Sequence, residues 1–207
     1  MVGVQQSAVP DVVVVLAAVL PWQFFAATLA ETSASLIGNT SLISKVYFPR
    51  LIIPVASVVT AFVDFAITLV MLGVLMAWYG VTPALHLVAL PVFIALAALL
   101  SLGLGLLLSA LTVTYRDFRY IVPFLVQLGL FVSPVAFTTS DVPERWHSLY
   151  GLNPLVGIID GFRWSILGGR TPLDPGLLAV SAAITAGCLV IGLWYFRRVE
   201  RRFADVI

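Results

Sequence analysis

The sequence predicts an all-α membrane protein, a polytopic helical bundle of five transmembrane helices plus an outer re-entrant helical hairpin, forming a single domain over residues 1–207. Three observations predict it. Of the 207 residues, 61% are hydrophobic and only 10% charged, and mean hydropathy is +1.08. A soluble domain, with about 45–50% apolar and about 25% charged residues, has the polar groups to cover its surface, and this chain does not. The apolar residues also gather into runs of bilayer length, and the basic residues gather in the breaks between them.

In order, the runs are 12–37, 51–79, 84–113, 120–139 and 173–196. Each supplies the roughly 20 apolar residues that a helical span needs. Backbone groups in hydrocarbon must bond within their own segment, which selects helices. Pro49, Pro54, Pro83, Pro91, Pro123 and Pro172 fall near run starts, where a missing N–H costs nothing. Pro21 interrupts the first run and predicts a kink or a broken start there. Lys45 and Arg50 follow the first run, Arg116 and Arg119 the third, and Arg197, Arg198, Arg201 and Arg202 the fifth. If all five runs cross, these eight of the eleven basic residues share one side, and the positive-inside rule makes that side cytoplasmic. The stretch 149–169 is apolar but carries Asn153, Pro154, Asp160 and Arg163. A full crossing there would put the four-arginine tail outside. A re-entrant hairpin over 143–169 on the outer side keeps the charge rule, provided it packs on protein or lines a wet cavity. An outer dip of this kind is a natural place for a gate.

The missing motifs narrow the function. There is no G-x-x-x-x-G-K-[ST], so the chain carries no phosphate-binding loop of its own. His86, His147 and the single Cys188 make no zinc-ligand pattern, and no metal site is expected. Neither H-E-x-x-H nor G-x-S-x-G is present, which argues against a membrane-embedded enzyme. A net charge of +1 points to no nucleic-acid partner. No inverted repeat of the kind secondary transporters use is visible.

Two carboxylates lie inside apolar runs. Asp64 stands on a stripe of Ala56, Thr60, Asp64 and Thr68 at four-residue spacing, one helix face that should meet protein or water. A carboxylate at that depth costs about 2.5–3.5 kcal/mol on insertion scales and marks a candidate functional residue. A helix-packing hydrogen bond or a protonated Asp would explain it equally. Glu31 lies on another polar face with Thr28, Thr32, Ser35 and Asn39, nearer the cytoplasmic end. Ser101, Gly105 and Ser109 make a small-xxx-small face that predicts close helix packing. Trp22, Trp78, Trp146, Tyr150 and Trp164 fall near run ends, as an aromatic belt would place them.

The loops are the most specific part. The first reads Asn39 to Arg50, NTSLISKVYFPR, with Tyr47 and Phe48 between Lys45 and Arg50 and with Pro49 fixing the re-entry. A short interfacial helix would offer the aromatics as knobs inside a basic rim; headgroup anchoring is the plainer alternative. The second loop reads YRDFRY over 115–120 and brings Arg116, Asp117 and Arg119. Together with SPVAF at 133–137 and NPLVGIIDGFRW at 153–164, these blocks resemble the permease subunit of ABC-2-type exporters. The subgroup resembled exports O-antigen, capsule, teichoic-acid and related cell-envelope polysaccharides.

That resemblance spans nearly the whole chain, with the blocks in family order. It implies a multi-pass homodimeric permease of the cytoplasmic membrane, not itself an enzyme, working with two copies of a separate ATPase subunit that binds the ATP and magnesium. The loop with Lys45, Tyr47, Phe48, Pro49 and Arg50 would couple to the ATPase, and Arg116, Asp117 and Arg119 would make a second cytoplasmic contact. The hairpin with Asn153, Pro154, Asp160 and Arg163 would gate the outer side, and the lumen between two copies would pass a lipid-linked glycan. An ABC-2-type exporter of small lipophilic compounds would share this architecture. Family members begin with a cytoplasmic amphipathic helix and one further span. The native product is therefore expected to carry another transmembrane helix before Met1.

Overall fold

The computed structural model describes residues 11–45, 48–81, 84–115, 117–135, 143, 146 and 150–200, with only the backbone of Asp11 and Ser44. Among them every regular element is helical. Helices α1 (Asp11–Gly38), α3 (Ile52–Trp78), α4 (Leu90–Thr114) and α7 (Pro175–Val199) are long and apolar enough to cross a membrane. A six-residue helix α2 (Thr40–Lys45) follows α1, a 3-10 turn (Leu85–Ala89) leads into α4, and α5 (Phe118–Val132) and α6 (Pro154–Ile166) are shorter.

Helix α1 lies at the centre, packed chiefly on α4 and α3 and also on α5 and α6. It continues through Pro21 as one helix, so of the two expectations there the broken start does not occur; membrane helices tolerate proline where neighbours re-satisfy the freed groups. Buried hydroxyls on it bond within the helix, Thr28 Oγ1 donating to the Phe24 carbonyl at 2.6 Å and Ser35 Oγ to that of Thr32 at 2.7 Å, whereas Thr32 Oγ1 has no partner among the described residues. A hydroxyl at a helix contact can thus return its hydrogen bond to its own helix, as Thr28 and Ser35 do. The predicted small face on α4 is a contact surface. Ser101 and Ser109 are buried, and a Cβ on Gly105 would come 2.6 Å from Thr32 Cγ2. Two residues earlier, Gly103 faces α7, where a Cβ would lie 2.6 Å from the Leu189 nitrogen. Trp22 is buried, its ring against Gly129 of α5, so it serves the bundle interior and not the aromatic belt.

The upper core is built on aromatic contacts: Phe24 and Phe65 have ring centroids 4.7 Å apart, and Phe65 and Phe162 6.1 Å. A second cluster unites Leu36, Ile53, Leu106, Ala110, Val113 and Phe196 at the other end. There Arg50 donates to the Glu200 carbonyl. The two segments that charge assigns to the cytoplasm thus meet at one end of the bundle.

Helix termini follow their local chemistry. Gly80 at φ +68 ends α3 in a left-handed turn, with Val81 N donating to Met76 O at 2.8 Å, the Schellman closure. Asn153 and Asp174 cap α6 and α7 through their side-chain oxygens, each followed by a proline at the first helical position, where proline fits best.

The fourth expected run departs from the sequence reading. Helix α5 covers 15 residues, about 22 Å at 1.5 Å per residue, short of a hydrocarbon core of about 30 Å. It stops because Ser133 precedes Pro134 and is extended, at φ −97 and ψ 152, as a residue before proline tends to be. Residues 136–139 of that run lie outside the described residues.

Candidate functional site at the two ends of the bundle

The end that the charge pattern assigns to the cytoplasm begins with α2, and Lys45 and Pro49 are exposed there. Phe48 is half-buried and packs on the lower cluster with Leu36, Ile53 and Phe196. That cluster draws residues from α1, α3, α4 and α7. Arg50 fastens the same loop to the end of α7 through the Glu200 carbonyl. Tyr47 lies outside the described residues, as does Arg116. In the second loop Asp117 is exposed, and the Arg119 guanidinium lies 4.9 Å from the Tyr120 ring centroid with Nη2 donating to the Tyr120 hydroxyl at 3.0 Å. The Tyr115 and Phe118 rings lie tilted at 42° with centroids 6.2 Å apart.

At the opposite end, which the charge pattern assigns to the outer side, the decisive element is α6. Its 13 residues reach about 20 Å, too little to cross. Its start meets the top of α5: Asn153 Nδ2 donates to Ser133 Oγ at 3.1 Å and approaches the Val132 carbonyl at 3.4 Å. Its end meets the 3-10 turn, with the Trp164 and His86 rings edge to face at 4.5 Å. Helix α6 therefore rises from within the bundle to the outer rim. Pro154 starts it, and ten of its thirteen residues are buried against α1, α4 and α7. The expected first arm of the hairpin lies largely outside the described residues.

Arg163 is 4% exposed, and its Nη2 donates to the Val135 carbonyl at 3.1 Å. Asp160, one turn earlier, lies 4.0 Å from Nη1. The two stand three apart on one helix face, the spacing at which an Asp–Arg pair can form, and Arg163 has a second task that the sequence does not announce. Arg163 ties α6 to the segment leaving α5, and Asn153 does so again one helix length away. Also missed were Gly157 and Gly161, four apart. A Cβ on Gly157 would lie 2.5 Å from Ser181 Oγ, and one on Gly161 would collide with the Phe93 ring. That small-xxx-small spacing was a legible sign of close packing.

Between α1 and α3, the exposed side chains of Gln23, Asp64 and Thr68 line an open pocket of about 340 Å³ that also takes in Phe24 and Phe65. Glu31 is exposed on α1. Ala56, Thr60, Asp64 and Thr68 are all exposed on the single chain. Gln23 escaped the sequence reading because one amide in an apolar run has no partner visible in sequence. Among the described residues no group of histidine, cysteine and acidic side chains could hold a metal ion.

Residues 2–167 match the family described as ABC-2 type transporter. The chain belongs to that family. A similar protein is the O-antigen export system permease protein RfbA of Myxococcus xanthus, 30% identical over 190 residues, 91% of this chain and 73% of that one. An RfbA of Klebsiella pneumoniae is 26% identical over 94% of this chain and 75% of its own length. The polysialic acid transport protein KpsM of Escherichia coli is 28% identical over 107 residues, 51% of this chain and 41% of its own. In this ABC-2 transporter chain the matched region takes in the cytoplasmic loops, the inner carboxylates and α6.

Proposed function

We propose that the chain is the membrane-spanning subunit of an ATP-driven exporter that moves a lipid-linked cell-envelope polysaccharide across the cytoplasmic membrane. The observation that carries this reading is the similarity, over 91% of the chain, to a permease named for O-antigen export. A separate ATPase subunit supplies ATP hydrolysis, and a second copy of the chain completes the lumen. Closure of the ATPase pushes the loop around Lys45 to Arg50. Phe48, seated on the lower cluster, passes that push to four helices at once. Helix α5 moves with them, and α6 yields at the outer end because Asn153 and Arg163 tether it to α5.

Co-purification in mild detergent tests the partnership: an ATPase subunit should accompany the permease, and isolation of the permease alone would count against it. Tyr47→Ala with Phe48→Ala should cut export at least tenfold while the protein still inserts. Unchanged export would leave the aromatics as headgroup anchors. Asp64 gives a second test. In a wet lumen, Asp64→Asn lowers export several-fold at unchanged membrane yield, since only charge is lost. If Asp64→Asn and Asp64→Leu both export like the parent protein, the carboxylate has no part in transport.

A further inference from the structure

We propose that the lipid-facing side of α7 binds an anionic phospholipid of the cytoplasmic leaflet. Gly187, Val190, Ile191, Trp194 and Arg198 recur at helical spacing and share one face. Nothing approaches a Cβ position on Gly187 within 4 Å, and Val190, Ile191 and Trp194 are 65%, 56% and 58% exposed. The face is therefore a shallow apolar track ending in an indole at the membrane boundary. There the Arg198 guanidinium sits 5.3 Å from the Trp194 ring centroid, held by the attraction of a cation for an aromatic face. Arg197 is exposed beside it. Among the described residues neither arginine pairs with a carboxylate. An acyl chain would lie along this apolar face, and a headgroup phosphate at its end would meet the Arg198 guanidinium held over Trp194, with Arg197 exposed on the same turn. Charge complementarity selects an anionic lipid over a zwitterionic one, because a juxtamembrane arginine favours anionic headgroups by about 1 kcal/mol, roughly fivefold.

Native mass spectrometry of the purified permease, equilibrated with phosphatidylglycerol and phosphatidylcholine in equal amounts, reads the preference directly. The parent protein should retain phosphatidylglycerol preferentially. Arg197→Ala with Arg198→Ala, with Arg201 and Arg202 left in place, should reduce that preference by at least about fivefold. Arg198→Lys should keep most of it, and Trp194→Ala should weaken retention of the lipid. Gel filtration at the parental volume certifies the fold of each variant. Equal retention of both lipids by the parent protein, or an unchanged preference in the double variant, overturns the proposal. Loss of ATPase co-purification in the double variant with lipid retention intact overturns it too, and assigns the arginines to the partner subunit.

Discussion

Arg163→Ala is expected to lower the thermal midpoint of the detergent-solubilised permease by roughly 6–12 °C, from a loss of about 3 kcal/mol. The side chain is almost wholly buried, and its loss strips a donor from the Val135 carbonyl and a cation from Asp160. Breaking a buried charged contact from one side costs more than the contact is worth, since the remaining partner stays desolvated. Arg163→Lys keeps the charge but not the planar fork, so it should fall between parent and alanine. Export should suffer as well, because α6 loses one of its two tethers to the top of α5. A midpoint within about 2 °C of the parent protein would show that neighbouring groups take over both contacts.

The second large effect is expected at the crossing of α4 and α7. A Cβ on Gly192 would run into the Gly103 carbonyl, and one on Gly103 would lie 2.6 Å from the Leu189 nitrogen. Both obstacles are backbone, so no side-chain rotation relieves them and the helices must separate. Gly192→Val should therefore exceed the usual cost of about 1–3 kcal/mol for overpacking and remove most folded protein from the membrane fraction. Gly187→Val, on the same helix but facing open space, should accumulate like the parent protein. If the two variants accumulate equally, the close crossing is not a feature of the working fold.

Much of the fold was legible because it depends on composition and spacing. Four of the five expected runs became helices of membrane-crossing length, and the Ser101–Gly105–Ser109 face became a contact between α4 and α1. The length of α5 was not legible from hydropathy, since the chain stays apolar past Val132 through Val135, Ala136 and Phe137. The local signal was Pro134, which forces Ser133 out of the helix whatever the hydropathy. The outer site was half legible: Asp160 and Arg163 could be paired from their spacing, but nothing local announces a carbonyl 28 residues away. Phe48 is a candidate knob by its place in the loop, and its packing on a cluster drawn from four helices is not visible from that place. Such long-range packing has no period in the sequence to reveal it.

The most direct measurement of the central claim is the fate of the cell-envelope polysaccharide when this gene is deleted in its native cell and then restored. Surface polymer should disappear on deletion, lipid-linked polymer should build up on the cytoplasmic side, and the parent gene should restore export. The Tyr47→Ala, Phe48→Ala variant should insert into the membrane without restoring export. Full surface polysaccharide in the deletion strain, with no internal accumulation, would contradict the assignment.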